Sequence, residues 1–334
     1  MQKNSIKIMK QYFVASFIIL LVACSKENSD SFLPDPTNPI NDTAWAATTP
    51  LNAAVNTLPT DLAIAEVSDS FPNTSGRTIQ FNDSLEVTVP NNAVTTNNGT
   101  TITGSVNLSI NYLNKKGDFI RFARPTTNGN LLLESSGGFF VRAIQNTQDL
   151  SLAQGKTLKI KFKNNNPTTT TKVFYGDENL TPPLLAPFNF NWKLNTDNSE
   201  INVVYTTTPN LYKGYELSAK KLRWVAGLLQ IDTLLPKTIV TVIFNPNFTN
   251  KNTAVYAVYK NLNTVVRLTP NFTSRSFAAV NMLLNKNIYL ISISKIGTTY
   301  YLGNSEVTIT NGLSLKLNPE LKSLNQIKSF LDSL

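Results

Sequence analysis

Apolar and polar residues alternate with a period of two along most of the chain after residue 84. Leu85, Val87 and Val89 alternate with Glu86 and Thr88, and the same pattern recurs over 106–112, 158–163 and 188–194. Such alternation is typical of half-buried antiparallel strands. Because Gly-containing turns separate short strands, the sequence predicts β-sandwiches rather than βαβ units. The predicted fold is mainly β: two or three antiparallel β-sandwich domains in tandem, with one C-terminal amphipathic helix.

Changes in composition divide the chain into five predicted segments: a leader (1–23), a Pro-rich tether (24–60), a first β-sandwich (61–165), a second β unit (172–235) and a third β-sandwich with the helix (236–334). The tether is polar, with little apolar periodicity. Trp45 is unusual there and is expected to dock on the first sandwich. The first two units are separated where apolar residues vanish over 164–171. Strands after Pro236 are apolar on both faces, as in a covered sheet.

The last residues change to a helical period. Asn318 is suited to cap a helix and Pro319 to occupy its first position. One apolar stripe follows, formed by Leu321, Leu324, Ile327, Phe330, Leu331 and Leu334. Since lysines share the polar face with Asp332, we expect this helix to pack back on the last sandwich and not on a membrane.

The N-terminus has the features of an export signal. Three lysines precede a largely apolar run of eleven residues (13–23), which at 1.5 Å per residue is too short for a bilayer core of about 30 Å. Leu21-Val22-Ala23-Cys24 resembles a bacterial lipobox. The resemblance implies cleavage before Cys24, lipidation of its thiol and a membrane anchor. Ser25, in place of the Asp that retains lipoproteins in the inner membrane, implies sorting to the outer membrane, on either its periplasmic or its outer side.

The chain has no histidine and one cysteine. It therefore lacks Ser-His-Asp and Cys-His catalysis, His-rich zinc sites and the usual proton shuttle near neutral pH. Glycoside hydrolysis by two carboxylates remains open, but Asp177-Glu178, Asp197 and Glu200 lie in turn-like sequence. A calcium loop at 195–200 is an alternative to a hairpin turn there. We expect no enzymatic activity, no metal and no cofactor.

Basic residues are unevenly distributed. The chain has 30 Lys and Arg against 21 Asp and Glu, and loss of three leader lysines leaves 27 against 21, or +6. Residues 233–305 contain no acid and seven cations: Lys237, Lys251, Lys260, Arg267, Arg275, Lys286 and Lys295. This excess of positive charge favours anionic partners.

A short motif, Pro-Asn-Phe-Thr, occurs twice in the basic stretch, at 246–249 and 270–273. Lys251 follows the first copy and Arg275 the second. Two equivalent hairpin loops would place both cations at one end of a sandwich, and the alternative is ordinary turn-then-strand chemistry. The predicted anion-binding residues are Lys251, Arg275, Arg267 and Lys260.

Several stretches resemble a known class of envelope proteins. Val87–Ala93, Leu133–Ala143 with its Gly137-Gly138 pair, 214–224 and 246–256 resemble β-sandwich lipoproteins and outer-membrane proteins of Bacteroidota, a module similar to the spectrin-binding domain of ankyrins and netrin receptors. The resemblance spans about residues 80–330 and implies architecture only. Some relatives of the eukaryotic domain cleave themselves at a His-Phe-Ser site, which a chain without histidine cannot use.

These features together predict a lipid-anchored protein of the outer membrane that acts as a non-catalytic binding, adhesion or structural module with a basic C-terminal domain. Expected partners are the membrane, through the anchor, and an anionic glycan, lipopolysaccharide or acidic protein surface. Nucleic acid is not expected, since no basic helix is present. The alternative is a carbohydrate-binding or carbohydrate-degrading surface lipoprotein.

Overall fold

The computed structural model describes residues 44–178, 190–207 and 211–334. The predicted leader, Cys24 and the first part of the predicted tether lie outside these ranges. The prediction of a mainly β chain with antiparallel sheets of the sandwich class and one C-terminal helix is confirmed. Among the described helices, none combines the length and the hydrophobicity needed to span a bilayer.

The described helices are α1 (Leu58–Leu62), α2 (Lys116–Arg121) and α3 (Leu324–Asp332), and a 3-10 turn (Ala54–Thr57) precedes α1. The described strands are β1 (Val67–Pro72), β2 (Arg77–Asn82), β3 (Leu85–Val89), β4 (Val94–Thr95), β5 (Ser105–Leu113), β6 (Thr127–Asn128), β7 (Leu131–Gln145), β8 (Gln148–Asp149), β9 (Ser151–Leu152), β10 (Leu158–Lys163), β11 (Lys172–Asp177), β12 (Asn191–Leu194), β13 (Glu200–Thr206), β14 (Tyr212–Ala219), β15 (Arg223–Gln230), β16 (Lys237–Ile243), β17 (Thr253–Tyr259), β18 (Val265–Asn271), β19 (Ser276–Leu283), β20 (Asn287–Ile296), β21 (Thr299–Thr308), β22 (Ser314–Lys316) and β23 (Glu320–Lys322).

Two antiparallel sheets form an N-terminal sandwich. Sheet 1 has the order β1-β5-β7-β15-β11-β12, with β6 and β8 attached to β7, and sheet 2 has the order β13-β14-β10-β3-β2. Their facing surfaces enclose a core that includes Phe139, Phe162 and Tyr215. The alternating residues noted in the sequence supply this core, because every second side chain of β3, β5 and β10 points into it.

The predicted division between 61–165 and 172–235 does not coincide with a division between sheets. Strand β15 pairs with β7 in sheet 1, and β14 pairs with β10 in sheet 2. Residues from both predicted units therefore share both sheets and one core. The polar run at 164–171 is a connection between the two sheets of one sandwich, since β10 lies in sheet 2 and β11 in sheet 1.

The C-terminal domain is built on a third sheet, sheet 3, with the order β22-β16-β19-β18-β17-β20-β21-β23. All pairs are antiparallel except β16 with β22. Every residue of β17 is buried, which confirms the prediction of a strand covered on both faces. Val255 joins a core enclosed by the curved sheet itself, whereas Tyr256 joins a core shared with sheet 1.

The central strands of sheet 1 contribute side chains to hydrophobic cores on both faces of the sheet. Trp192 and Trp224 project from it into the shared core, where they meet the outer face of sheet 3 and side chains of all three helices. Two exposed sandwiches in tandem would have left those tryptophans at the surface. Burial of two indole rings, at about 150 to 250 Å² each, instead joins the N-terminal and C-terminal parts of the described chain.

Residues 44–62, which we call the docked segment, pack on the C-terminal domain although they lie mostly within the predicted tether. Trp45 contacts Phe277 with 5.2 Å between ring centroids, so it docks on the last domain and not, as expected, on the first. The side-chain amide of Asn250 accepts from the backbone N–H of Ala46 at 3.0 Å and donates to its carbonyl at 2.6 Å. Local sequence gave little sign of this, because the partners lie about 200 residues away.

The terminal helix begins later than predicted. Ser323, not Asn318, is its N-cap: the Ser323 hydroxyl accepts from the backbone N–H of Gln326 at 3.2 Å, and the Gln326 side chain accepts from the N–H of Ser323 at 2.8 Å. Residues 320–322 form β23 instead and leave Leu321 exposed. Pairing with β21 takes precedence over a longer helix. Ile327 is buried in the core shared by sheets 1 and 3.

Candidate functional site

Five cations lie at one end of sheet 3, and we call this group the basic end: Lys251, Arg275, Lys295, Lys316 and Lys322. The strand register aligns them, because Ser276 pairs with Asn271, Thr253 with Ser294 and Tyr300 with Lys322. Neighbouring strands are about 4.8 Å apart, so the cations follow one edge of the sheet.

Two carboxylates accompany the basic end. Asp61 of the docked segment pairs with Lys295 at 2.7 Å, and Glu320 pairs with Lys322 at 3.2 Å. Among the described residues of this end, five cations therefore face two carboxylates. Within the described residues, Arg275 and Lys316 form no ion pair, and both are exposed. This end can therefore attract an anionic surface.

The four predicted anion-binding residues do not form one site. Lys251 and Arg275 share the basic end, as predicted. Lys260 lies at the opposite end of β17, a strand of seven residues that is roughly 23 Å long, and pairs with Glu306. Arg267 lies in the middle of β18, opposite Tyr256.

The two Pro-Asn-Phe-Thr copies are not equivalent loops. Phe248 is buried and contacts Tyr301 with 5.3 Å between ring centroids, in the crossing connection from β16 to β17. Phe272 belongs to the tight turn between β18 and β19 and is 49% exposed. That turn needs a left-handed residue, and Arg275 adopts φ 48°. Turn chemistry accounts for the repeat, while sheet topology brings both cations to one end.

A groove of about 640 Å³ lies beside Arg267. Of the described residues that line it, Arg267 is the one that is charged, and none is a carboxylate. The apolar lining includes Phe190, Leu132 and Val266 together with the exposed Phe272, Val280 and Ile239; the neutral polar lining comprises Thr127, Asn130, Thr269 and Asn271. Grooves of about 300 to 1,000 Å³ accommodate small organic ligands. The loop before β7 and the outer face of sheet 3 form its two walls.

Two arginines close to this groove are held in apolar surroundings. Burial lowers the pKa of Arg267 to about 10, although the nearby Tyr256 hydroxyl opposes the shift. Burial likewise lowers the pKa of Arg124 to about 10, opposed by Glu178. Burial raises the pKa of Tyr256 to about 12, and both guanidinium groups act against that rise. Desolvated positive charge of this kind interacts strongly with an incoming anion.

The Glu178 carboxylate contacts three side chains, a role that the turn-like sequence around it does not indicate. Its carboxylate accepts from the indole N–H of Trp224 at 2.8 Å and from Nε of Arg223 at 2.6 Å, and lies 3.5 Å from Nη2 of Arg124. Arg124 also stacks on Phe190, 4.3 Å from the ring centroid. Glu178 thus fixes Arg124, and Arg124 supports one wall of the groove.

A second groove, of about 400 Å³, lies at the turn between β14 and β15. The cations that line it are Arg142, Lys220, Lys221 and Arg223. Asp149 pairs with Arg142 at 2.8 Å, Glu178 pairs with Arg223 at 2.6 Å, and Nζ of Lys220 donates to the Asp197 carbonyl at 2.6 Å. Since three of these four cations already have partners, this groove is a weaker candidate for an anion site.

Three of the four carboxylates considered for chemistry, Asp177, Glu178 and Asp197, have structural partners. Asp197 accepts from the backbone N–H of Ser199 at 3.1 Å and from its hydroxyl at 2.6 Å, as expected for a hairpin turn. No group of three or more His, Cys, Asp or Glu residues in the described part of the chain is arranged to hold a metal ion. No family model and no curated protein matches the chain.

Proposed function

We propose that this chain is a lipid-anchored protein of the bacterial outer membrane that binds anionic partners without catalysing a reaction. The leader and its lipobox-like Cys24 supply the anchor. The basic end supplies the binding surface, and its alignment along one edge of sheet 3 is the observation that carries the proposal. Anionic membrane components such as lipopolysaccharide phosphates have the chemistry that such a surface attracts.

The docked segment supports the same assignment. It is tied to the loop that carries Lys251, because the N–H of Val55 donates to the Lys251 carbonyl at 2.9 Å and Ala46 bonds Asn250. Ala46, near the start of the described residues, is therefore held beside the basic end. Because Cys24 lies about 20 residues earlier in the chain, a lipid anchor there would tether the basic end within reach of the membrane.

Charge removal tests the binding surface. In the triple variant Lys251→Gln, Arg275→Gln, Lys316→Gln, each lost cation removes about 1 kcal/mol of attraction to an anionic surface, or about 150-fold in affinity for the three together. The measurement is binding of the detergent-solubilised full chain to immobilised lipopolysaccharide, with heparin as a second polyanion.

The opposite end of sheet 3 provides a matched control. Lys237→Gln, Lys260→Gln, Lys286→Gln removes the same charge from the same sheet. We expect this variant to lose far less affinity than the first. Equal losses would show that only net charge matters and would refute a binding surface at the basic end.

Anchoring is tested separately through Cys24→Ala. We expect the variant to remain unprocessed or to be released from membranes, and globomycin to block maturation of the unmodified chain. Normal membrane-bound maturation of the variant would overturn the anchoring part of the proposal without affecting the test of charge.

The alternative function, a carbohydrate-degrading lipoprotein, needs two convergent carboxylates about 5 to 10 Å apart. No carboxylate occurs among the described residues that line the groove beside Arg267. Its mixture of aromatic, amide and hydroxyl side chains instead favours carbohydrate binding as the second candidate, without hydrolysis.

A further inference from the structure

We propose that the groove beside Arg267 binds an acidic sugar residue, whose carboxylate pairs with the Arg267 guanidinium and whose ring packs on the phenylalanine walls. This site is distinct from the basic end and does not depend on lipid anchoring. It assigns a ligand to this groove and a role to Arg267, which lies apart from the other predicted cations.

The first support is charge. Arg267 is the one charged side chain among the described residues that line the groove, and none of those residues is a carboxylate that would repel an anionic ligand. A guanidinium presents a planar fork of donors that matches the two oxygens of a carboxylate. Because apolar residues surround Arg267, this pairing is screened less by water than it would be at the basic end.

The second support is the shape and chemistry of the walls. Phe190 and Phe272 offer flat apolar surfaces, and Arg124 holds Phe190 by stacking on its ring. A pyranose ring presents apolar C–H faces that pack on such rings, as other half-apolar bodies do.

The polar part of the lining favours a sugar ligand over a ligand whose carboxylate is attached to a purely apolar body. Thr127, Asn130, Thr269 and Asn271 place hydroxyl and amide groups along the groove. An apolar ligand would cover these groups without replacing their bonds to water, which is costly, whereas sugar hydroxyls can bond to them. The mixture therefore favours an acidic sugar.

Three probes of similar size test the ligand class on the full chain: galacturonate, the neutral galactose and the apolar carboxylate benzoate. Binding is measured by saturation-transfer NMR and calorimetry at about 0.15 M salt. This salt concentration screens charges that lie more than about 8 Å from the ligand. We expect galacturonate to bind at least about tenfold more tightly than galactose, because it alone forms a charge-assisted bond with Arg267. Benzoate should be the weaker of the two carboxylates.

Equal binding of galacturonate and galactose would refute the role of Arg267. Tighter binding of benzoate would refute the sugar class. Absence of saturable binding by galacturonate and by its tetrasaccharide would refute the site as a whole.

Variants locate the binding. Arg267→Gln should abolish the preference for galacturonate over galactose, and Arg267→Lys should restore only part of it because the planar fork is lost. Should Arg267→Gln fold poorly, Val280→Trp provides a second test: Val280 is 50% exposed on the groove wall, so a larger ring fills the groove without entering the core.

The basic-end triple variant is the control. It should bind galacturonate within about twofold of the unmodified chain at this salt concentration. Loss of galacturonate binding in that variant, with retention in Arg267→Gln, would place the sugar at the basic end and overturn this inference. Conversely, unchanged lipopolysaccharide binding in Arg267→Gln separates the two sites.

Discussion

The attachment of the docked segment to sheet 3 should depend on one partly buried ion pair. The Asp61 carboxylate accepts from Nζ of Lys295 at 2.7 Å and from the Thr57 hydroxyl at 3.0 Å, and Lys295 also donates to that hydroxyl at 2.9 Å. We predict that Asp61→Asn weakens the fold and loosens the docked segment.

The expected loss of stability follows from how far the Asp61–Lys295 pair is exposed to solvent. The two side chains are only 20% and 16% exposed. Exposed pairs contribute about 0.2 to 1 kcal/mol, and breaking a fully buried pair costs about 3 to 5 kcal/mol. Breaking this pair, whose exposure is intermediate, should lower the free energy of unfolding of the protein by about 2 kcal/mol. In urea this is a midpoint shift of about 0.7 to 1 M at a slope of about 2 to 3 kcal/mol per M.

The effect should depend on pH. Burial lowers the pKa of Lys295, but hydrogen bonds and charge interactions with Asp61 and Tyr300 outweigh it, so the net pKa is raised above the ordinary 10.5. A raised lysine pKa gives stabilisation that is complete below 10.5 and is lost as pH rises through the folded-state value. The difference between the unmodified chain and Asp61→Asn should therefore be constant from about pH 7 to 9 and shrink above about pH 11.

Glu320→Gln is the matched control, since Glu320 is 75% and Lys322 35% exposed. It should cost at most about 0.5 kcal/mol. The reasoning would be refuted if Asp61→Asn cost no more than this control in urea unfolding, or if its effect did not change at high pH.

Three further predictions concern packing and capping. Gly214→Ala should destabilise by about 3 kcal/mol or prevent folding, because its Cβ would collide with the Phe162 carbonyl oxygen; thermal unfolding measures this, and an unchanged midpoint would contradict it. Ser323→Ala should lower the free energy of unfolding by about 1 kcal/mol through loss of the helix cap; urea unfolding measures this, and an unchanged midpoint would contradict it. Trp45→Ala should cost about 2 kcal/mol and reduce hydrogen-exchange protection over 44–57, since the half-buried indole packs on Phe277; protection equal to that of the unmodified chain would argue against docking.

Much of the secondary structure could be predicted from the sequence because strand periodicity is local. The alternation around Val87 and Ile160 reports one buried face of a strand. The doubly apolar pattern of β17 likewise reports a strand covered on both sides. Helix α3 was predicted in type, but its start shifted from Asn318 to Ser323 because pairing of β23 with β21 is a long-range contact.

The candidate sites could be predicted only in part. Clustering of cations over 233–305 indicates a basic domain. The sheet topology places Lys251 and Arg275 at the same end of that domain, in agreement with the prediction. Lys316 was missed because it reaches that end through a parallel pairing of β22 with β16. The groove was missed as well, since its walls come from the loop before β7 and from sheet 3, more than 100 residues apart.

The sequence by itself determined the class of the fold, its charge asymmetry and the kinds of catalysis that it excludes, because these depend on residue identity and on contacts between near neighbours. Only the tertiary structure decided that 61–165 and 172–235 share one sandwich, that Trp45 docks on the last domain and that Arg267 faces a groove. Those features arise from strand pairing and core burial between distant segments. Hydrophobic burial is non-directional, so many pairings satisfy the same alternating pattern, and the packing of whole sheets selects among them.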